Sequence, residues 1–212
     1  MSKKDKDFDE MGLVPELFDG KHQVIPIISG GDESIEQVQI PEVLPILTLR
    51  SSVIFPGSVT PITVGRAKSI ALVRAVEAAD GLLGAVLQTD SDIEDPQPDD
   101  MHKIGTSARI LKILEMPNGN LTVILAGLEK IEVGEYITTQ PYFKATITPI
   151  QDSTPDPKSV EFAALVDSIK EVALSIINIS PSMPKEAAFA IKNLDSSRAI
   201  VNFICSNMDL TD

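Results

Sequence analysis

The spacing of the apolar residues changes once along this 212-residue chain, and the change constrains the fold class. Up to about residue 150 they form short runs and two-residue alternations, which are typical of β-strands. Beyond the polar stretch QDSTPDPK at 151–158 they follow the 3.6-residue period of helices. We therefore predict an α+β protein, with a β-rich lobe at 41–150 and an α-helical bundle lobe at 155–212.

The β-rich lobe is predicted to contain about six strands and one helix. The predicted strands are Val43–Leu49, Val59–Val64, Leu82–Gln88, Ile104–Leu114, Leu121–Val133 and Tyr142–Ile150. Pro61 removes one ladder donor, so the second strand is expected at an edge or at a bulge. Ala67–Asp80 has helical spacing, with Gly81 as its expected left-handed stop. Asn118-Gly119 lies between two apolar strands and predicts a hairpin, because both residues tolerate positive φ.

The helical lobe is predicted to hold three helices. Asp156 is expected to cap the first, with Pro157 in its first turn. A second helix is expected from Pro184 to Leu194, and Asp195 is expected to cap the third. The first helix carries a single polar stripe on an otherwise apolar surface. We therefore expect it to be buried over most of its girth, against the β-rich lobe or against a partner.

Charge and cysteine usage exclude several classes of protein. The net charge is −13, so nucleic-acid binding through a phosphate backbone is not expected. Cys205 is the only cysteine, which permits no intrachain disulfide and fits a reducing, cytoplasmic compartment. No apolar run reaches the roughly 20 residues of a membrane span. Residues 1–40 are expected to form an acidic flexible tail, unless the apolar patch Val24–Ile28 docks as an added strand on a neighbour.

The residues that would carry catalysis do not occur in catalytic patterns. The two histidines, His22 and His102, lie in no zinc-ligand spacing, and no phosphate-binding glycine loop or nucleophile elbow is present. The acidic loop 89–100 lacks the spacing of a calcium loop and is expected to be a solvated run of charge. We therefore predict no catalytic, cofactor-binding or metal-binding residue in this chain.

The remaining candidates for function are apolar side chains in the loop SVIFPGS at 52–58. Loops usually face water, so Ile54 and Phe55 are either packed beneath the β-rich lobe or exposed to a partner. The hypothesis we carry forward is that Ile54, Phe55 and Val59 contact a polypeptide substrate. Arg66, at the start of a predicted helix, is expected to make a structural ion pair.

Several motifs, in order, resemble the amino-terminal domain of the ATP-dependent Lon proteases. They are Leu44-Pro45-Ile46-Leu47-Thr48-Leu49-Arg50, Phe55-Pro56-Gly57, Val64-Gly65-Arg66 with Ser69, Ile104-Gly105-Thr106, Met116-Pro117-Asn118-Gly119, Ala126-Gly127-Leu128 and Asp195 with Arg198 and Ala199. The resemblance covers about 43–208. Lys130 departs from it, because many members carry arginine there. The family's ATPase and Ser–Lys protease modules are also absent from this sequence, so the chain resembles an excised part of a longer protein.

The resemblance implies a PUA-like β-rich lobe and a helical bundle that recognise substrates without catalysis. The implied parent is a cytoplasmic, homohexameric, ATP- and Mg-dependent serine endopeptidase that degrades misfolded, damaged and short-lived regulatory proteins. The implied partners are unfolded or degron-bearing proteins. Three alternatives stay open: a free-standing Lon-type adaptor, a small hydrolase that uses His102, and RNA binding by analogy to PUA-like folds.

Overall fold

The strands and helices follow the order predicted from the sequence. The computed structural model describes residues 39–151, 153, 156, 159–180, 186–194 and 196–207. The strands are β1 (Val43–Leu49), β2 (Val59–Val64), β3 (Leu82–Leu87), β4 (Ile104–Glu115), β5 (Leu121–Thr138) and β6 (Phe143–Pro149). The helices are α1 (Ala67–Ala78), α2 (Val160–Ile179), α3 (Glu186–Asn193) and α4 (Ser197–Ser206). These elements give the predicted α+β class, while its division into separate domains stays a prediction.

Five of the six strands form a closed sheet in the order β5-β4-β3-β1-β6, and β2 is added outside it, beside β5. The sheet order is β2-β5-β4-β3-β1-β6, and β6 also pairs with β5. β1 and β3 are parallel, whereas the other pairs are antiparallel. β2 pairs with β5 alone, with Pro61 opposite Ile124, which confirms the expected edge position of this proline-containing strand.

The main core lies between α1 and strands β1 to β5, and a second cluster on the opposite faces of β1 and β3 joins them to β5 and β6. Leu83, Val123 and Leu125 are fully buried in the main core, and α1 contributes Leu72, Val73 and Val76. The sheet residues of this cluster alternate along their strands, as expected for strands with one face on a core. Burial of these side chains, and not helix propensity, holds α1 in place, because its first turn has no side-chain cap.

The left-handed residue that ends α1 is Asp80, not Gly81, which corrects the sequence prediction by one position. Asp80 has φ 47°, its N–H donates to Glu77 O at 3.1 Å, and the Gly81 N–H donates to Val76 O at 3.0 Å. This is the hydrogen-bond pattern of a Schellman motif, which places the left-handed residue immediately after the cap at Ala79. Asp is one of the few non-glycine residues that tolerate this conformation.

The hairpin between β4 and β5 forms where Asn118-Gly119 predicted it. Met116 N–H donates to Asn120 O and Gly119 N–H donates to Met116 O, both at 2.9 Å. Of the two predicted residues, only Gly119 has a positive φ, at 82°. Pro117 presets the first corner of the turn, so one left-handed residue completes it.

The caps of the helical lobe, which comprises α2, α3 and α4, differ from those predicted. Ser159, not Asp156, caps α2, because its hydroxyl accepts from the Phe162 N–H at 3.2 Å. Ser196 caps α4 by accepting from the Ala199 N–H at 3.5 Å. The predicted cap Asp195, and the prolines Pro157 and Pro184, lie outside the described residues.

One buried hydroxyl in the β-rich lobe lacks a hydrogen-bond partner among the described residues, that of Tyr136 on β5. Its ring packs edge-on against Phe143, with 5.7 Å between the ring centroids. Burial raises the pKa of Tyr136 to about 12, because the phenolate cannot be solvated there. The folded state therefore holds its proton more tightly than the unfolded chain, whose tyrosines titrate near pH 10.

We expect Tyr136→Phe to raise the free energy of unfolding by about 1 kcal/mol at pH 7, because it removes an unsatisfied buried hydroxyl. Between about pH 10 and 12 the unfolded Tyr136 loses its proton before the folded one, so the stability of the unmodified protein falls with rising pH. The variant should lack this part of the alkaline decline. Urea titrations of both proteins from pH 7 to 12 measure it. A loss of stability in the variant at pH 7 would show that the hydroxyl is bonded.

Candidate polypeptide-binding surface

Two of the three side chains predicted to contact a substrate lie in the interior. Ile54 is 2% exposed and belongs to the main core, and Val59 is 2% exposed. Val59 packs with Ile124 on the opposite face of the sheet, and Phe55 is half-buried. The expectation that Ile54 and Val59 offer apolar surface is therefore wrong, because both fill space in the β-rich lobe. Contact between a substrate and any of the three stays a prediction, which for Ile54 and Val59 requires the packing around them to open.

Backbone and hydroxyl hydrogen bonds fix the loop 52–58 to the sheet. The Thr106 hydroxyl donates to Ile54 O at 2.6 Å, and the Ser58 hydroxyl donates to Phe55 O at 2.7 Å. Gly127 on β5 donates its N–H to Ser58 O at 2.8 Å and accepts from Gly57 N–H at 2.9 Å. These bonds hold residues 54–58 of the loop against β4 and β5.

The same loop connects the two lobes. The side-chain amide of Asn202 on α4 donates to Pro56 O at 2.9 Å. Because Ile54 O, two residues before Pro56, accepts the Thr106 hydroxyl of β4, this bond ties α4 to a loop that is itself bonded to the sheet. The loop therefore gives Ile54 to the main core and one hydrogen bond to the helical lobe.

The exposed apolar residues concentrate on the helical lobe instead. Among the described residues, those of the three helices are Val160, Leu165, Val172, Ile176, Ile179, Phe189 and Val201. Four of them share one face of α2, because they are spaced seven, four and three residues apart. We call this face the outer stripe: Leu165, Val172, Ile176 and Ile179.

The outer stripe is long and open to solvent, with the exposed Ser168 in the gap between Leu165 and Val172. Its side chains are between 55% and 80% exposed. From Leu165 to Ile179 it extends about 21 Å at 1.5 Å per residue. Exposed apolar patches of this kind usually mark sites that bind another molecule.

The outer stripe arises because α2 carries more apolar residues than its neighbours can cover. Ala173 and Ile177 on its inner face pack against Ala187, Ile191 and Phe203 of the two shorter helices. Lys170, also on the inner side, donates to Leu194 O at 2.9 Å. Among the described residues α2 is therefore not buried over most of its girth against the β-rich lobe, and its burial against a partner stays a prediction. The sequence showed that α2 carries an excess of apolar residues. It did not show how little of the α2 surface α3 and α4 cover.

The acidic loop 89–100 is tied to the β-rich lobe and is not a freely solvated run. Arg50 Nε donates to Ser91 O at 2.6 Å, and Arg66 donates to Gln88 Oε1 at 2.9 Å and to Ile93 O at 3.0 Å. Burial, and then the nearby Arg50, lower the pKa of Arg66. Arg66 thus bonds to an amide and a carbonyl, which corrects the expected ion pair.

A small cleft of about 210 Å³ lies between this loop, β1 and the start of α1. Ile46, Leu72 and Phe143 form its apolar wall. Lys68 lies across it, with its ammonium 2.8 Å from Asp95 Oδ1 and 5.3 Å from the centroid of the Phe143 ring. This ion pair lowers the pKa of Asp95. The Lys68 ammonium contacts Asp95 on one side and the Phe143 ring on the other, so Lys68 holds the acidic loop against the β-rich lobe.

The described residues offer no arrangement suited to catalysis or metal binding. Within them, no three His, Cys, Asp or Glu side chains are grouped closely enough to hold a metal ion. His102 is exposed and Cys205 is half-buried on α4. A search of the same residues finds no helix with the length and apolar content needed to cross a membrane. The open apolar stripe is therefore the functional feature that the structure supports best.

Comparison with known proteins identifies the family. Residues 43–212 match the family described as the ATP-dependent protease La (LON) substrate-binding domain. The chain is 46% identical over 195 residues to a Lon protease of Flavobacterium johnsoniae, covering 92% of this chain and 24% of that protein. It is 37% identical over 187 residues to a Lon protease of Cytophaga hutchinsonii, covering 88% and 23%. The chain therefore belongs to the Lon substrate-binding domain family.

A solved structure gives independent support for the fold. The N terminal domain of the Mycobacterium avium complex Lon protease matches with a TM-score of 0.64 at 20% identity, covering 80% of this chain and 84% of that one. The resemblance drawn from the sequence motifs is thus confirmed. The chain spans about a quarter of the length of the Lon proteases it matches. The match falls on a substrate-binding domain and not on a protease domain.

Proposed function

We propose that this chain captures unfolded or degron-bearing polypeptides for a Lon-type ATP-dependent protease, and that the outer stripe is the surface that contacts them. The observation that carries the proposal is the row of four exposed apolar side chains on α2. Unfolded proteins differ from folded ones chiefly in exposing such side chains, so an open apolar surface distinguishes the two.

The size of the outer stripe supports weak, reversible capture. Covering four half-exposed aliphatic side chains removes roughly 400 Å² of apolar surface from water, worth about 10 kcal/mol before any cost. Association itself costs about 4–15 kcal/mol, which leaves little net affinity for a single domain. Several copies in one assembly would raise the affinity through avidity, so weak capture suits a homohexameric parent.

The remaining features of the parent follow from family membership as proposals. We propose a cytoplasmic homohexamer with a Ser–Lys protease module that uses ATP and Mg and degrades misfolded, damaged and short-lived regulatory proteins. Protein clients, and not nucleic acid, suit a chain of net charge −13. The second candidate, a free-standing adaptor that binds partners without a protease, uses the same outer stripe. The length of the full reading frame distinguishes the two.

Capture should depend on the outer stripe. We expect Val172→Gln with Ile176→Gln to weaken binding of a permanently unfolded client at least tenfold, because two central apolar contacts are lost. Glutamine is a good helix former, so α2 should persist. Fluorescence anisotropy of labelled, reduced and carbamidomethylated lysozyme measures the binding.

The matched control is Ile104→Thr with Ile137→Thr, which removes two side chains of similar exposure from the β-rich lobe. Threonine is also β-branched and is retained well in strands. This control should bind the client as the unmodified chain does. If the unmodified chain and both variants bind the client equally, the outer stripe does not capture it. If both variants bind equally weakly, the binding surface is not confined to the outer stripe.

A further inference from the structure

Every charged side chain on the exposed surface of α2 is acidic. They are Glu161, Asp167 and Glu171, all exposed. Glu161 precedes Leu165 by four residues and therefore shares the face of the outer stripe. Glu171 lies about 80° around the helix from the nearest residue of the stripe and Asp167 about 120°, with Ser168 and Ser175 between them and the stripe. The one cation in the helix, Lys170, is turned inward to Leu194 O at 2.9 Å.

The cations elsewhere in the described helical lobe are on other elements. Lys192 lies in the last turn of α3 and Arg198 in the first turn of α4. The whole chain carries 31 acidic against 18 basic residues. An incoming polypeptide therefore meets an apolar row with one carboxylate on its own face and two further around the helix, within a field of negative sign.

We propose that the outer stripe selects polypeptide segments whose apolar residues are flanked by lysine or arginine. This inference rests on the proposed function and specifies its substrate class. The apolar residues of the segment cover the outer stripe, and its cations are attracted to Glu161 on the same face and to Glu171 and Asp167 further around the helix. Segments flanked by Asp or Glu are repelled, so the charges add selectivity to a contact that the apolar row alone would leave unselective.

The test uses three labelled peptides. All three have the same apolar residues at helical spacing, and the remaining positions are all Lys in one peptide, all Gln in the second and all Glu in the third. At low salt we expect the Lys peptide to bind about tenfold more tightly than the Glu peptide, since each exposed ion pair contributes a few-fold. The Gln peptide should fall between them. High salt should bring the three affinities together, because exposed charge pairs are screened.

A triple variant tests whether the preference is local. Glu161→Gln with Asp167→Asn and Glu171→Gln should abolish the difference between the Lys and Glu peptides while leaving binding of the Gln peptide unchanged. The matched control removes three exposed charges of the acidic loop instead, through Asp92→Asn, Glu94→Gln and Asp99→Asn. It should retain the preference. Loss of the preference in this control would overturn the proposal, because the selection would then come from net charge alone.

The outcomes also separate this inference from the proposed function. If all three peptides bind equally and in an outer-stripe-dependent way, capture stands and charge selection is wrong. If none binds, both are wrong. Sedimentation of the unliganded chain tests another occupant: a dimer that Val172→Gln with Ile176→Gln dissolves would show that a second copy covers the outer stripe, and would overturn the proposal.

Discussion

Replacing Ile54 by alanine is expected to lower the free energy of unfolding by about 3–4 kcal/mol, the usual cost of emptying a buried isoleucine site. Ile54 is 2% exposed and packs in the main core, and its carbonyl accepts the buried Thr106 hydroxyl. The surrounding loop cannot collapse into the cavity, because its backbone is bonded to β5 through Gly127. Urea denaturation followed by far-UV circular dichroism measures the change.

Val53→Ala is the matched control for this substitution. Val53 is the neighbouring residue of the same loop and is 46% exposed, so the variant should change stability by less than about 0.5 kcal/mol. A loss below 1 kcal/mol for Ile54→Ala would place its side chain at the surface. That result would restore the loop as a contact for substrates.

Gly127→Ala is expected to cost about 3 kcal/mol, because a methyl group there has no space. A side-chain carbon at Gly127 would overlap the Phe55 carbonyl oxygen and would lie 3.0 Å from Ile54 Cγ2. The loop would have to move away from β5, which would break the two backbone bonds of Gly127. Because Pro56 also accepts from Asn202, the contact between the lobes should loosen as well.

Gly81→Ala is the control for the effect of glycine replacement as such. A methyl group at Gly81 would meet its nearest atoms at an ordinary 3.9 Å, so the stability should stay unchanged or rise by up to 1 kcal/mol. Thermal melts of the two variants compare them directly. A Gly127→Ala protein as stable as Gly81→Ala would show that the loop is not held against β5.

The order of the elements was predictable because each carries a local signal. Two-residue alternation and the Asn118-Gly119 turn marked the strands and the hairpin, and Pro61 marked the edge strand. Element ends were less predictable, because several residues compete for each cap: Ser159 caps α2 where Asp156 was expected, and Asp80 ends α1 where Gly81 was expected.

The candidate site was the least predictable part, because exposure depends on tertiary packing. An apolar loop such as 52–58 has the same composition whether it lies in the core or in solvent, and its place is decided by the packing of Ile54 and the hydrogen bonds to Thr106 and Gly127. The apolar girth of α2 suggested burial, which does not occur against the β-rich lobe and stays a prediction for a partner. The sequence showed the apolar excess, but the area that α3 and α4 cover depends on how the three helices pack.

Methyl NMR with an unfolded client tests the central claim most directly. With the methyl groups of leucine, valine and isoleucine labelled, reduced and carbamidomethylated lysozyme is titrated into the chain. The account predicts that the signals of Leu165, Val172, Ile176 and Ile179 shift together and saturate, while those of the buried Ile54 and of the exposed Ile104 stay in place. Shifts confined to the β-rich lobe, with the outer stripe unaffected, would contradict it.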